Sequence, residues 1–203
     1  MVYRQGRSDW QQWLPDRQPE SAQLDYPVPL AMPAGDPYLR ALMRTISASE
    51  SHHPSPYTIL YGGEHVADLR QHPDLCVAIV AGPNVGQCTT AAGRYQFLTT
   101  TWQEKAQFYH PEPPSWYTPW KPYDFSAEAQ DYVVYHWLAD PTAWGYDLSV
   151  LLRQGELPFV LELLSGTWTS LGYGIETNAM TPYLMEIYEV MLAEELAQAD
   201  ATP

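Results

Sequence analysis

The sequence is poor in basic residues and contains no long apolar run. Ten Lys and Arg stand against 24 Asp and Glu, which gives a formal net charge of -14 at pH 7. Because such a chain repels phosphate backbones and anionic lipids, we exclude nucleic acid as a partner. No stretch reaches the roughly 18 apolar residues of a membrane span, and no apolar core of a secretory signal peptide is visible near the start.

Cysteine is also scarce, since the chain contains only Cys76 and Cys88. They flank an apolar stretch that ends in a Gly-Pro-Asn turn, so a bond between them would close a hairpin. A disulfide is typical of an exported protein, whereas two free thiols are typical of a cytosolic one. The sequence leaves both states open.

Three kinds of functional site lack a signature here. Neither a Gly-rich phosphate loop nor a GxSxG motif is present, and His52, His53, His65 and His72 do not follow a zinc-binding spacing. We therefore predict no metal and no cofactor. Aromatic residues, in contrast, are abundant, with 8 Trp and 15 Tyr. Their flat faces and polar edges suit sugar rings, although most such side chains pack in protein cores.

A length of 203 residues suits one globular unit. Residues 1–35 contain five prolines and little apolar periodicity, so we predict an extended N-terminal segment that docks through Trp10, Trp13 and Tyr26. The globular domain is expected over residues 36–198. Its fold class is predicted as α+β, mostly α, with a small antiparallel sheet.

The first helix has clear local signals. Asp36 is a good N-cap and Pro37 suits the first helical position, while Pro54 and Pro56 stop the helix, so we predict that it ends near Glu50. Four apolar residues recur at helical spacing along one face: Leu39, Leu42, Met43 and Ile46.

The remaining elements follow from turn and cap signals. A strand is predicted at 57–61, a turn at Gly62-Gly63, a returning segment at 64–69 and a third strand within 76–88. A capping box at Thr100 or Thr101 predicts a helix to about residue 109, and the prolines of 110–123 predict a long aromatic loop. Further helices are predicted over 126–138, 147–153, 158–165 and from 181.

Glu50 stands out chemically because it lies on the apolar face of the first helix, at its C-terminal end. Desolvation and the negative end of the helix dipole both raise the pKa of a carboxyl group. A proton retained near neutral pH is what a general acid for a glycosidic oxygen needs. The alternative is that the helix end frays and Glu50 turns into solvent.

Several short motifs extend this observation, and each is weak alone. In chain order they are Ser49-Glu50-Ser51, the segment from Tyr57 to Gly62-Gly63-Glu64, Asp68 with His72-Pro73, Ala92-Gly93-Arg94-Tyr95-Gln96, and Trp168 followed by Thr-Ser-Leu-Gly. Together, over about residues 37–195, they resemble the phage lambda endolysin family of lambda-type lysozymes. The resemblance implies a lysozyme-like fold with a small sheet and a larger helical lobe. It also implies a monomer that binds peptidoglycan glycan strands and acts on the cell wall, in the periplasm or outside the cell.

For chemistry, the resemblance implies a lytic transglycosylase that cleaves the MurNAc–GlcNAc β-1,4 bond and leaves 1,6-anhydro-MurNAc, with Glu50 as both acid and base. A muramidase that uses water needs a second carboxylate instead, and Glu64 and Asp68 are the candidates. The resemblance makes both structural or orienting, with Asp68 close to His72. A non-catalytic peptidoglycan-binding module is the third possibility.

The same resemblance implies the substrate-binding residues. They are Tyr57, Gly63, Gly93, Tyr95, Gln96 and Trp168, with Arg94 assigned a structural role in an ion pair. A buried structural role explains Trp168 equally well. The chain departs from the family pattern at Thr58, where the family has Asp, in its long Cys76–Cys88 segment and in the 110–123 loop.

Overall fold

A computed structural model describes residues 27–80, 84–174 and 179–201. The helices are α1 Pro37–Glu50, α2 Thr99–Tyr109, α3 Ala127–Ala139, α4 Pro141–Trp144, α5 Leu148–Arg153, α6 Leu157–Leu164 and α7 Leu184–Asp200. Short 3₁₀ turns cover Pro56–Thr58, Thr169–Leu171 and Thr181–Tyr183. The strands β1 Val77–Ala78 and β2 Cys88–Thr89 form a two-stranded antiparallel sheet. The predicted fold class, α+β and mostly α, is confirmed. None of the helices in these ranges is long and apolar enough to cross a membrane.

Helix α1 runs through the centre of the protein. The Asp36 side chain accepts hydrogen bonds from the amides of Tyr38 and Leu39, and the helix ends at Glu50, as predicted. Every residue from 39 to 49 is buried, so burial is not confined to the single apolar face that the sequence predicts. Arg40 and Arg44 lie on the remaining faces, and Glu195 of α7 forms ion pairs with both. A buried charge needs such a partner because burial removes its water.

Residues 27–35, which precede α1, pack against the same core. Leu30 and Met32 belong to it, each with 8% of its surface exposed. Buried arginines from other parts of the chain bind backbone carbonyls of this segment: Arg44 binds Pro27, Arg94 binds Val28 and Pro29, and Arg40 binds Met32. In the other direction, the amides of Ala31 and Met32 donate to the Asp131 carboxylate. Trp10, Trp13 and Tyr26 lie outside the described residues.

The sheet region is smaller than predicted. β1 pairs with β2 in the register Val77 to Thr89 and Ala78 to Cys88, and a disulfide joins Cys76 to Cys88 beside it. The strand predicted at 57–61 is wrong at its start, because Pro56 opens a 3₁₀ turn there. Only single bridges follow, from Ile59 to His65 and from Leu60 to Ala92.

The later helices mostly follow their sequence signals. Ser126 caps α3 by accepting from the amide of Ala129, as predicted. The predicted capping box of α2 is wrong: the helix begins at Thr99 after Leu98, without a side-chain cap, and the Thr99 amide donates to Thr90 instead. Helix α4 was not predicted, although its Asp140-Pro141 start repeats the signal of α1. Residues 110–123 contain no helix, as predicted.

Candidate active site

A cleft of about 580 Å³ opens beside the C-terminal end of α1. Its lining comes from the chain between β2 and α2, from α2 and α3, and from the turn that follows α6. Residues lining it include Glu50, Tyr61, Thr89, Tyr95, Gln96, Thr101, Glu104, Lys105, Trp137 and Trp168. Carboxylate, hydroxyl, amide, ammonium and indole groups therefore share one open groove, which is the mixture that sugar rings need.

Glu50 is half-buried and lines this cleft, so the alternative of a frayed end in open solvent does not hold. Ser170, in the 3₁₀ turn Thr169–Leu171, donates its hydroxyl hydrogen bond to Glu50 Oε1. The hydroxyl of Ser49 in turn contacts Ser170, at 2.8 Å from both its Oγ and its carbonyl oxygen. These contacts set the direction of the carboxyl group before any substrate binds.

The helix end that carries Glu50 is also tied to the chain between β2 and α2. The Ser51 amide donates back to the Ser47 carbonyl at 2.8 Å, which completes the last turn. The Ser51 hydroxyl donates to the Arg94 carbonyl at 2.6 Å. The end of α1 and the tight turn at 93–96 are therefore held at a fixed separation.

The turn at 93–96 is built around Gly93, which has φ +75° and is buried. A Cβ at this position would collide with the Gln130 carboxamide and lie 2.9 Å from Phe125 Cζ. The absence of a side chain is therefore required by packing against α3 and the chain before it. This corrects the prediction that Gly93 binds substrate, because it lies behind the cleft wall.

Tyr95 and Gln96 both line the cleft, but their polar atoms are largely used inside the protein. Tyr95 is only 1% exposed and its hydroxyl donates to Asp131 Oδ1 at 2.6 Å. Burial, together with the charge of Asp131, raises the pKa of Tyr95 well above its ordinary value. Gln96 donates its side-chain amide to the Gly93 carbonyl at 2.9 Å. The two side chains therefore shape the wall, and the Tyr95 hydroxyl is already bonded within the protein.

Tyr57 does not line the cleft, which corrects its prediction as a groove residue. Its hydroxyl donates to Asp131 Oδ2 at 2.7 Å and accepts from Arg94 Nη1 at 2.8 Å. Burial, followed by the charge of Asp131, raises the pKa of Tyr57 above its ordinary value. Arg94 reaches Asp131 only through this hydroxyl, so the ion pair predicted for Arg94 is an indirect one within a buried network.

The carboxylates beyond the Gly62-Gly63 turn lie outside the cleft. Glu64 is exposed, and Asp68 is exposed and paired with Arg70, which holds the pKa of Asp68 down at about 2. Gly63 is exposed with open space around it, so the structure does not bring it to the predicted binding site.

His72 is bound elsewhere than predicted. Its Nε2 donates to the Phe97 carbonyl at 2.8 Å, and its Nδ1 accepts from the Asp74 amide at 3.1 Å. Burial lowers the pKa of His72, which suits this neutral pattern. The predicted link from Asp68 to His72 is therefore wrong, since each has a different partner. Within the described ranges no group of three or more His, Cys, Asp or Glu is arranged to hold a metal ion.

Trp168 is buried and also borders the cleft. It is 4% exposed, its Nε1 donates to the Tyr95 carbonyl at 3.2 Å, and its ring lies 5.3 Å from the ring of Trp137. One edge of this packed aromatic pair still lines the cleft. Trp168 is therefore a buried residue that forms part of the cleft surface.

The sequence reasoning missed three cleft residues on α2, which are Thr101, Glu104 and Lys105. Glu104 and Lys105 form an ion pair with 2.7 Å between Oε1 and Nζ, and Lys105 Nζ lies 4.5 Å from the centre of the Trp137 ring. Thr101, Glu104 and Lys105 occupy positions i, i+3 and i+4 of one helix face, and that spacing could have identified them.

Comparisons with known proteins agree with this geometry. A model of the endolysin family matches residues 40–194. The structure of bacteriophage lambda lysozyme complexed with a chitohexasaccharide aligns with a TM-score of 0.55 and 22% identity, covering 79% of this chain and 97% of that chain. Another structure of lysozyme from bacteriophage lambda gives a TM-score of 0.51 and 19% identity, covering 82% and 97%. At these identities the likeness shows a shared fold. No curated protein matches the chain.

Proposed function

Since the chain belongs to the endolysin family, whose members degrade peptidoglycan, we propose that this enzyme is a lytic transglycosylase with Glu50 as its catalytic acid and base. The substrate is the MurNAc–GlcNAc β-1,4 bond of a glycan strand bound along the cleft. The lambda lysozyme structure contains a chitohexasaccharide, which supports a glycan as the ligand of this fold. We further propose that the protein acts on the wall as a monomer, in the periplasm or outside the cell.

The proposed reaction needs one carboxyl group. Glu50 first protonates the oxygen that leaves with GlcNAc, and the bond from that oxygen to C1 of MurNAc breaks. The C6 hydroxyl of the same MurNAc then forms a bond to C1, and the Glu50 carboxylate takes the hydroxyl proton. The acid is restored, the product carries a 1,6-anhydro bridge, and no water is consumed.

The observation that carries this proposal is the placement of Glu50 in the cleft, with Ser170 fixing one of its oxygens. A hydrolase with two carboxylates usually places them about 5–5.5 Å or about 6.5–9.5 Å apart across the bond. Glu64 and Asp68, the two candidates from the sequence, do not line the cleft. Their positions support a mechanism with a single carboxyl group.

A muramidase that uses water is the second candidate, because Glu104 lines the same cleft as Glu50. Two features of Glu104 argue against that role. Its Oε1 is paired with the Lys105 ammonium, and 61% of its side chain is exposed. A carboxylate that is mostly surrounded by solvent does not hold one attacking water molecule in a fixed position.

Mass spectrometry of digested peptidoglycan distinguishes these functions. We expect products with 1,6-anhydro ends, one water lighter than hydrolysis products, from the unmodified enzyme. We also expect the variants Glu64→Gln, Asp68→Asn and Glu104→Gln to give the same products. Reducing ends, together with loss of turnover in Glu104→Gln, would establish the muramidase instead. A folded protein that binds the glycan and releases nothing would be a binding module.

A further inference from the structure

The cleft beside Glu50 does not stop at α2. A second cavity of about 460 Å³ adjoins it and shares Lys105, Trp137 and Thr167 with it. The second cavity continues past Phe108 and Trp144, between α2 and the region of α3 and α4. The two cavities therefore form one longer groove, and Lys105 lies where they meet.

The Lys105 ammonium is held in place at this junction. Its Nζ lies 4.5 Å from the centre of the Trp137 ring, and the electron-rich face of an indole attracts a cation. Only 20% of the Lys105 side chain is exposed, whereas its ion-pair partner Glu104 is 61% exposed. An ion pair with one hydrated partner is weak, so another carboxylate can replace Glu104 without a large loss.

The position of this cation is notable in an acidic chain. Among the Lys and Arg of the described ranges, Lys105 is the residue that lines these two cavities. Arg40 and Arg44 pair with Glu195, and Arg94 is bound in the buried network. Arg70 pairs with Asp68, Arg153 pairs with Asp36, and Lys121 lies in the exposed 110–123 loop.

Resting on the proposed function, we propose that Lys105 is a specificity-determining residue that binds a carboxylate carried by the muramic acid residue. Neutral sugar rings offer an ammonium group only uncharged hydroxyl and carbonyl acceptors, whereas muramic acid offers a carboxylate in two forms. Its lactyl group is a free carboxylate when no peptide is attached, and the attached peptide stem carries carboxylates of its own. A local positive charge also offsets the repulsion that a net charge of -14 exerts on such a substrate.

The test measures affinity in proteins that all carry Glu50→Gln, so that turnover does not interfere. Lys105→Gln, Lys105→Arg and the control Lys121→Gln are compared by calorimetry with three soluble ligands. The ligands are peptide-bearing glycan strands, strands whose peptides have been removed by an amidase, and neutral chitohexaose. Melting temperatures establish that each variant is folded.

We expect Lys105→Gln to weaken binding about tenfold, or about 1.4 kcal/mol, for at least one of the two charged ligands. Chitohexaose binding should change less than about twofold, and Lys105→Arg should retain most of the affinity because it keeps the charge. Lys121→Gln should bind all three ligands normally. A loss confined to peptide-bearing strands assigns the stem carboxylate, and a loss confined to stripped strands assigns the lactyl group.

An equal loss for chitohexaose, or no loss for either charged ligand, would overturn the inference. Cleavage by the enzyme with native Glu50 is assayed separately. Absence of cleavage would remove the proposed function, while the affinity measurements would still report on Lys105.

Discussion

The two ends of α1 place charge in opposite settings. Toward the start, Arg40 and Arg44 are almost completely buried and their guanidinium groups contact Glu195 and backbone carbonyls. At the last residue, Glu50 is half-buried, receives a hydrogen bond from Ser170 and faces an open cleft. The first set of charges is satisfied within the protein, whereas the second remains next to space for a ligand. If Glu50 acts as proposed, stability and chemistry are separated along a single helix.

The largest effect is expected at the cleft end. Glu50→Gln keeps the shape of the side chain and removes the exchangeable proton, so we expect activity on peptidoglycan to fall about 10³-fold or more. The melting temperature should stay close to that of the unmodified protein. Turnover assays and calorimetry measure the two properties. Glu64→Gln is the matched control, and activity near normal in Glu50→Gln would exclude Glu50 from the mechanism.

At the buried part of α1 we expect the opposite result, which is a loss of stability at normal turnover. Glu195→Gln leaves the buried guanidinium group of Arg40 without its anion and Arg44 with only the half-exposed Glu194, so we expect the free energy of unfolding to fall by about 3 kcal/mol. That corresponds to roughly 6–12 °C in melting temperature for a domain of this size. The folded fraction should keep its normal turnover.

The neighbouring residue provides a matched control for this change. Glu194 pairs with Arg44 at 2.8 Å, but 45% of its side chain is exposed. Glu194→Gln should therefore cost less than about 1 kcal/mol. Equal losses in the two variants would show that burial of the Glu195 pair is not what matters.

A smaller effect on turnover is expected at Ser170, which contacts Glu50. Ser170→Ala removes the hydroxyl that orients Glu50, and a hydrogen bond to a charged group contributes roughly 1.5–3 kcal/mol. We expect turnover to fall about tenfold, with unfolding changed by less than about 1 kcal/mol. Ser126→Ala, which removes the cap of α3, should do the reverse and cost about 1 kcal/mol of stability at normal turnover. A normal rate in Ser170→Ala would mean that Glu50 is oriented by other contacts.

Local signals in the sequence predicted α1 well. The Asp36-Pro37 start and the apolar spacing depend on residues within a few positions of each other, so they are readable without the fold. The burial of Arg40 and Arg44 was not readable, because their partner Glu195 lies about 150 residues away in sequence. In the sequence, a buried arginine on a helix cannot be distinguished from an exposed one until its partner is known.

The site was predicted in part for the same reason. Glu50 was identified by its place on the apolar helix face together with the family resemblance of the neighbouring motifs, and a cleft does form beside it. Tyr57 and Tyr95 belong to motifs that suggested substrate contact, yet their hydroxyls bind Asp131 of α3. Short motifs identify residues that lie close together in the fold. They do not distinguish residues that line the cleft from residues of the buried hydrogen-bond network behind it.

The segment before α1 has a practical consequence for where this protein can be shortened. The family match begins at residue 40, whereas the carbonyls that accept from Arg40, Arg44 and Arg94 begin at residue 27. A chain trimmed to the family limits would uncover three guanidinium groups and leave Asp131 without two amide donors. We therefore expect that the shortest stably folded form of this protein begins before residue 40, where the family match begins.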